Sequence, residues 1–241
     1  MSALGSPRVH LRLTDSTNER ARELAIAGAP HGTLVTAAEQ SAGRGRQGRR
    51  WTAPRGQAIL MSLVLRPVPR LLPLMAAIGV CDVVGEQARI KWPNDVVVAA
   101  SAKPGLAKVA GILAEGRPGE GWAVLGIGLN VAVRLRDLPA ELRGQGPSGA
   151  LPAATMSRPG DELEPTLELL LAALETRLSA SANSTLTHWR ERDALLGKEI
   201  AWSGGHGRAE GIDGDGRLIV LLPQGGQTAL SAGEVHLESV A

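Results

Sequence analysis

The sequence predicts an α+β fold: a layered domain built on a mixed β-sheet, followed by a small all-β module. Strand-like and helix-like stretches succeed one another without the regular β-α-β alternation of a parallel sheet. After Gly197 the helical spacing stops, and short strand-like runs separated by Gly and Pro take its place. Tyr and Phe are absent, so the core must be aliphatic and each of the five tryptophans stands out among its neighbours.

The elements follow in order. Residues 16 to 28 read as a helix, with Ser16 and Glu19 at capping-box spacing and Ala21, Leu24 and Ala25 on one face. Strand-like runs lie at Leu34 to Ala37, Ala58 to Leu65, Ile112 to Ala114 and Trp122 to Leu129, and a helix from about Leu72 to Gln87 interrupts them. Within it, Leu74, Ile78, Cys81 and Val84 recur at helical spacing, which makes Cys81 a packing residue. Residues 144 to 160 read as loop. Pro165 to Ala180 then sets Leu167, Leu170, Leu171, Leu174 and Leu178 on one stripe, a packing face. Short strands are expected at Glu199 to Trp202, Arg208 to Ile212, Arg217 to Leu222 and Thr228 to Leu230, with Asp213-Gly-Asp-Gly216 as a hairpin signal. Such a tail forms a small barrel, too short for a large active site.

Composition narrows the function. A net charge of +2 over 241 residues is mild for a general nucleic-acid binder, so the positive charge reads as local. One cysteine excludes an internal disulfide, and neither a signal segment nor a long apolar span is present, which points to the cytoplasm and away from a membrane. His10, His31, His188, His206 and His236 show no metal-ligand spacing, which argues against zinc chemistry.

The charge gathers in Glu39-Gln-Ser-Ala-Gly-Arg-Gly-Arg-Gln-Gly-Arg-Arg50, ahead of Trp51. Gly43, Gly45 and Gly48 can take positive φ and bring N–H groups to an anion, while Arg44, Arg46, Arg49 and Arg50 offer planar forks for phosphate or carboxylate. With like charges and little to bury, residues 43 to 50 are expected to be mobile until a ligand orders them. A solvated basic turn or an RNA-binding Arg/Gly segment accounts for this loop alone equally well.

A second cluster, Lys91-Trp-Pro-Asn-Asp95, packs an ammonium, an indole, an amide and a carboxylate into five residues. It is either a shaped turn or a site in which Asp95 holds a metal ion or a ligand's ammonium or amide, Asn94 reads a polar edge and Lys91 offsets phosphate charge. Lys108-Val-Ala-Gly-Ile-Leu-Ala-Glu115 brings a lysine into a strand whose Gly111 permits close approach. Gly126-Ile-Gly-Leu-Asn130 ends an apolar strand with two glycines and an amide, which a β-bulge explains as well as a site does.

Taken in order, Gly-Arg-Gly-Arg-x-Gly-Arg-x-Trp, Lys-Trp-Pro-Asn-Asp, Lys-x-x-Gly-Ile-Leu-x-Glu and Gly-x-Gly-x-Asn resemble the biotin protein ligases over about residues 14 to 131. The resemblance implies a class II synthetase-like mixed-sheet catalytic domain at residues 1–193 and an SH3-like β-barrel at 194–241. It implies that Ser16, Thr17, Gln40, Gly43, Arg44, Arg46, Lys108, Gly111, Ile112 and Gly126 line a biotin pocket. Arg46, Arg49, Trp51, Lys91, Asn94, Asp95 and Asn130 would serve ATP and the adenylate, with Asp95 on Mg²⁺ and Arg44, Arg46 and Lys108 nearest the chemistry. Two departures stand out: Ala38 occupies a usually acidic position, and sixteen residues, including the loop Ala99 to Gly105, separate Lys91 from Lys108. Only about fourteen residues precede the Asp15–Asn18 segment, too few for the helix-turn-helix of the family's repressor members, so no DNA binding is expected.

The implied reaction needs no protein nucleophile. Biotin's carboxylate attacks the α-phosphorus of ATP, and a lysine of the biotin carboxyl carrier domain of acetyl-CoA or related carboxylases displaces AMP. The obstacle is bringing a carboxylate against a triphosphate, for which Arg44, Arg46, Lys91, Lys108 and Mg²⁺ are the available countercharges. The rivals are a lipoate or octanoate ligase or transferase on the same scaffold, and a non-enzymatic RNA-binding protein. A homodimer is left open.

Overall fold

The computed structural model describes residues 4–100, 105–144, 151–231 and 235–237. In chain order its elements are β1 (Arg8–Leu11), α1 (Thr17–Ile26), β2 (Leu34–Ala37), β3 (Ala58–Leu65), α2 (Leu72–Val84), β4 (Arg89–Lys91), β5 (Asp95–Ala99), β6 (Leu106–Arg117), β7 (Trp122–Asn130), α3 (Leu163–Leu178), α4 (Ala182–Glu191), β8 (Glu199–Trp202), β9 (Gly205–Ile212), β10 (Leu218–Leu221), β11 (Gln227–Leu230) and β12 (His236–Leu237). Strands β1 to β7 form one sheet in the order β1-β2-β3-β7-β6-β5-β4. The β1–β2 pair is parallel and the rest are antiparallel, which gives the mixed sheet expected. Strands β8 to β12 make a five-stranded antiparallel unit in the order β11-β10-β9-β8-β12, with no ring-closing pairing among the described residues.

Side-chain alternation along β3 and β7 sorts residues onto the two faces of the sheet. Ile59, Met61, Leu63 and Leu65 of β3, with Ala123, Leu125, Ile127 and Leu129 of β7, join the main core, which also contains buried residues of α2 and α3. On the opposite face Val64, Trp122 and Val124 pack with Ala21 and Ala25 of α1. Continuing along β7 on that face, the next positions are Gly126 and Gly128, then Asn130. The side chains that would fill this face stop where α1 ends its cover, and a hollow is left in the sheet's surface. The main core runs on without a break into the C-terminal unit through Ile200, Ile212, Leu218, Val220 and Val235.

Local differences from the sequence reading have identifiable causes. The first helix begins at Thr17 with Ser16 as N-cap, but Ser16 makes no side-chain cap bond and no capping box forms. Asp15 accepts the Ser16 N–H and Gln40 Oε1 accepts the Thr17 N–H at 2.7 Å, while Glu19 turns outward to Arg22 and Arg44. Helix α2 stops at Val84 because Gly85, at φ +113°, turns the chain away. Strand β6 is twelve residues long rather than three. β1, β4, β5, α4 and β12 were not anticipated; α4 is announced by Ser181, whose hydroxyl accepts the Ser184 N–H at 3.2 Å. Cys81 is fully buried in α2, and burial pushes its thiol up to about 12. Four residues of the Ala99 to Gly105 loop, 101–104, and residues 145–150 of the 144–160 loop lie outside the described residues.

Candidate active site

The hollow is a cavity of about 510 Å³ walled by the α1 N-terminus, the arginine loop, the β4–β5 turn, the middle of β6 and β7, and Val235 and His236 of the C-terminal unit. Fifteen of the sixteen residues named from the sequence border it: Ser16, Thr17, Gln40, Arg44, Arg46, Arg49, Trp51, Lys91, Asn94, Asp95, Lys108, Gly111, Ile112, Gly126 and Asn130. Gly43 does not. A Cβ there would lie 2.4 Å from Trp51 O and 2.9 Å from Gln40 Nε2, so Gly43 lets the chain pass behind the wall.

A polar cluster occupies the row of the sheet where Ser62 pairs with Gly126 and Gly126 with Leu113. A Cβ on Gly126 would come 2.0 Å from Asn18 Oδ1, so the Asn18 amide rests directly on that glycine. Ser62 Oγ lies 2.6 Å from Asn18 Oδ1 and 2.8 Å from Thr17 Oγ1, and Thr17 Oγ1 is 3.1 Å from Gln40 Oε1. Ser62 and Thr17 have one hydroxyl proton each for these three contacts: with Ser62 donating to Asn18 Oδ1, Thr17 donates either to Ser62 Oγ or to Gln40 Oε1, and the other contact is made without a proton. Ser62 was not among the residues named for the site, and Asn18 stood only as the end of the Asp15–Asn18 segment. The signal for Ser62 was a lone hydroxyl inside an eight-residue apolar strand.

Two residues along, Gly111 of β6 pairs with Gly128 of β7, and Asp95 of β5 pairs with Gly111. The Trp51 indole lies on this bare patch: Cβ atoms at Gly128 and Gly111 would stand 2.4 Å from Cε2 and 2.9 Å from Cζ3. Lys108 Nζ sits 5.5 Å from the centre of the ring, within cation–π range. The same ammonium lies 2.7 Å from Asp95 Oδ1, close enough for an ion pair but outside hydrogen-bond geometry, since Oδ1 has no hydrogen-bond partner. Trp51 Nε1 and Asn130 Oδ1 are likewise buried without one. Two buried polar atoms without a partner, Trp51 Nε1 and Asn130 Oδ1, beside the Lys108–Asp95 pair mark a place shaped for a polar ligand.

Some expected roles change. Lys91 is 6% exposed, and its Nζ donates to Val235 O, so its charge helps fasten the C-terminal unit beside the cavity. Asn94 Nδ2 donates to Ile112 O at 2.9 Å and clamps the β4–β5 turn to β6. Ile112 borders the cavity but belongs to the main core, at 1% exposed. Asn130 Nδ2 donates to Ala154 O at 2.9 Å, which fixes the amide with its oxygen unpartnered. In the arginine loop, Gly48 takes positive φ (+74°) as does Gln47 (+54°), whereas Gly45 is extended at −121°. The loop also has bonds of its own: Gly45 N to Arg49 O at 2.7 Å, and Arg44 to the carboxylates of Glu19 and Glu115. Internal partners therefore hold part of its shape. Among the described residues no group of three His, Cys, Asp or Glu side chains could cage a metal.

A model of the biotin/lipoate A/B protein ligase family matches residues 10–131, and a biotin protein ligase C-terminal domain matches 196–237. The chain belongs to the biotin/lipoate A/B protein ligase family. It is 35% identical to the biotin–acetyl-CoA-carboxylase ligase of Paracoccus denitrificans, over 92% of this chain and 97% of that protein. It is 32% identical to the bifunctional ligase/repressor BirA of Bacillus subtilis, over 95% of this chain and 74% of that protein. The biotin protein ligase of Aquifex aeolicus, solved with biotin and ATP, superposes with a TM-score of 0.74 at 24% identity, covering 97% of this chain and 99% of that one, and so shares its fold. Family membership displaces the reading of a non-enzymatic RNA-binding protein. No helix among the described residues is long and apolar enough to cross a membrane.

Proposed function

We propose that this protein is an ATP-dependent biotin protein ligase. Biotin's carboxylate attacks the α-phosphorus of ATP, pyrophosphate leaves, and the ε-amine of a lysine on a carboxylase's biotin carboxyl carrier domain displaces AMP from biotinyl-5′-AMP. The observation that carries the reading is the paired bare patches of the sheet. One, at Gly126, is rimmed by Thr17, Asn18, Gln40 and Ser62; the other, at Gly111 and Gly128, lies under Trp51 beside Lys108. A compact ring rich in donors and acceptors suits the first, and an aromatic base the second.

In this reading Ser16, Thr17, Gln40, Ile112 and Gly126 form the biotin side, while Arg46, Arg49, Trp51, Lys91, Asn94, Asp95 and Asn130 form the nucleotide side; Gly111, expected on the biotin side, lies under Trp51 between the two. Arg44, Arg46 and Lys108 act on the developing charge: fixed cations facing a carboxylate and a phosphate are worth most where water is excluded. Mg²⁺ would neutralise phosphate charge when bound, with Asp95, whose Oδ1 lacks a hydrogen bond, as its one protein carboxylate. We divide the chain into a ligase domain at 1–193 and a C-terminal unit at 194–241, and place it in the cytoplasm.

The polar rim at Gly126 can exchange hydrogen bonds with the ureido ring of biotin and none with the alkyl chain of lipoate or octanoate, which favours biotin. ATP–pyrophosphate exchange separates the two. Exchange is expected with biotin and not with lipoate, and exchange driven by lipoate would overturn the reading.

A further inference from the structure

Glu115 closes the Lys108–Glu115 motif and has no part in the ligation chemistry above, yet it touches both halves of the site. Its Oε1 lies 3.0 Å from Arg44 Nη2, and its Oε2 accepts from Asn18 Nδ2 at 2.8 Å. Asn18 is itself fixed between Ser62 and Gly126, so the carboxylate is anchored on a buried wall. Arg44 has a second carboxylate neighbour, Glu19, at 3.3 Å. Glu19 accepts a hydrogen bond from Arg44 but is shared with Arg22, the main cause holding the Glu19 carboxyl below its usual range, and Glu115 is the nearer of the two carboxylates to Arg44. Arg44 also stands on the partition between the main cavity and a second one bordered by Arg70, Trp92 and Asp215.

We propose that Glu115 is a positioning residue that docks Arg44, and with it residues 44 to 50, against the pocket wall in the ligand-free protein and yields Arg44 to a phosphate-bearing ligand. Only the naming of that ligand rests on the function proposed above. The Arg44 and Glu115 side chains are 47% and 32% exposed, so their pairing is weak enough to be exchanged. A phosphate offers the guanidinium two anionic oxygens in a fork that one carboxylate oxygen cannot match. Glu115 keeps its bond to Asn18 through the exchange, so the vitamin side of the pocket need not rearrange when the loop moves.

The test is trypsin cleavage within residues 44 to 50 of the ligand-free protein, normalised to the heat-unfolded chain at the same salt. Glu115→Gln retains a carbonyl for Asn18 but loses the ionic partner. It is expected to speed loop cleavage roughly two- to fivefold, the worth of one half-exposed ion pair, with Tm unchanged. Wild-type cleavage should rise toward the variant's rate as salt increases to about 0.5 M, and the variant's, with only the Arg44–Glu19 pair left, should rise less. Equal rates at low salt, or a wild-type rate indifferent to salt, would overturn the proposal. If the variant melts early, the wild-type salt series alone decides. Loss of biotin ligation would leave these outcomes readable, since no ligand is added.

Discussion

Gly128→Ala isolates the nucleotide side of the site. The new Cβ would lie 2.4 Å from Trp51 Cε2, 2.6 Å from Nε1 and 2.8 Å from Cδ2, where ordinary contact begins near 3.4 Å. The indole must therefore rise about 1 Å off the sheet, changing its contact with the Lys108 ammonium now 5.5 Å from its centre. If Trp51 stacks on the adenine, that contact is worth about 1–3 kcal/mol, so losing it should weaken ATP roughly five- to a hundredfold. The polar cluster at Gly126 lies two residues away along β7 and should keep biotin affinity within about threefold. Isothermal titration of ATP and of biotin, each alone, gives both numbers. Unchanged ATP affinity, or an equal loss of both ligands, would refute the role given to the Gly111–Gly128 patch.

Three further outcomes follow from the same geometry. Gly126→Ala drives a methyl to 2.0 Å from Asn18 Oδ1, breaking the bonds to Ser62 and Glu115; calorimetry should show Tm lower by roughly 2–10 °C and biotin affinity reduced more than ATP affinity. Lys108→Ala should slow single-turnover adenylate formation by about 10²–10³ while Tm moves by only a few degrees; a wild-type rate would remove Lys108 from the chemistry. Cys81, with its thiol pushed up to about 12 by burial, should resist iodoacetamide at neutral pH in the folded protein and react only after denaturation.

The mixed sheet was legible because apolar strands such as Ala58–Leu65 and Trp122–Asn130 carry runs that only burial on both faces explains. The cavity's wall was legible for a different reason: the arginine loop alone has other uses, but four motifs in one order carry the resemblance to the biotin protein ligases. What stayed hidden depends on three-dimensional register. Gly128 became significant only once β6 and β7 paired it with Gly111, and Gly43 proved to relieve a clash with Trp51 that no spacing reveals. Lys91 borders the cavity as its cluster suggested, but the sequence does not show Val235 O arriving from 144 residues away to accept from it. Ser62 looked like an exception in a strand until Asn18 and Thr17 closed over it.

The most direct measurement supplies the purified protein with biotin, ATP, magnesium and a biotin carboxyl carrier domain, and reads covalent biotin on the carrier by intact-mass spectrometry. We expect one biotin on one carrier lysine, dependent on ATP and absent when lipoate replaces biotin. A carrier that stays unlabelled, or one that takes up lipoate instead, would contradict the assignment of the glycine-floored cavity to biotin and its adenylate.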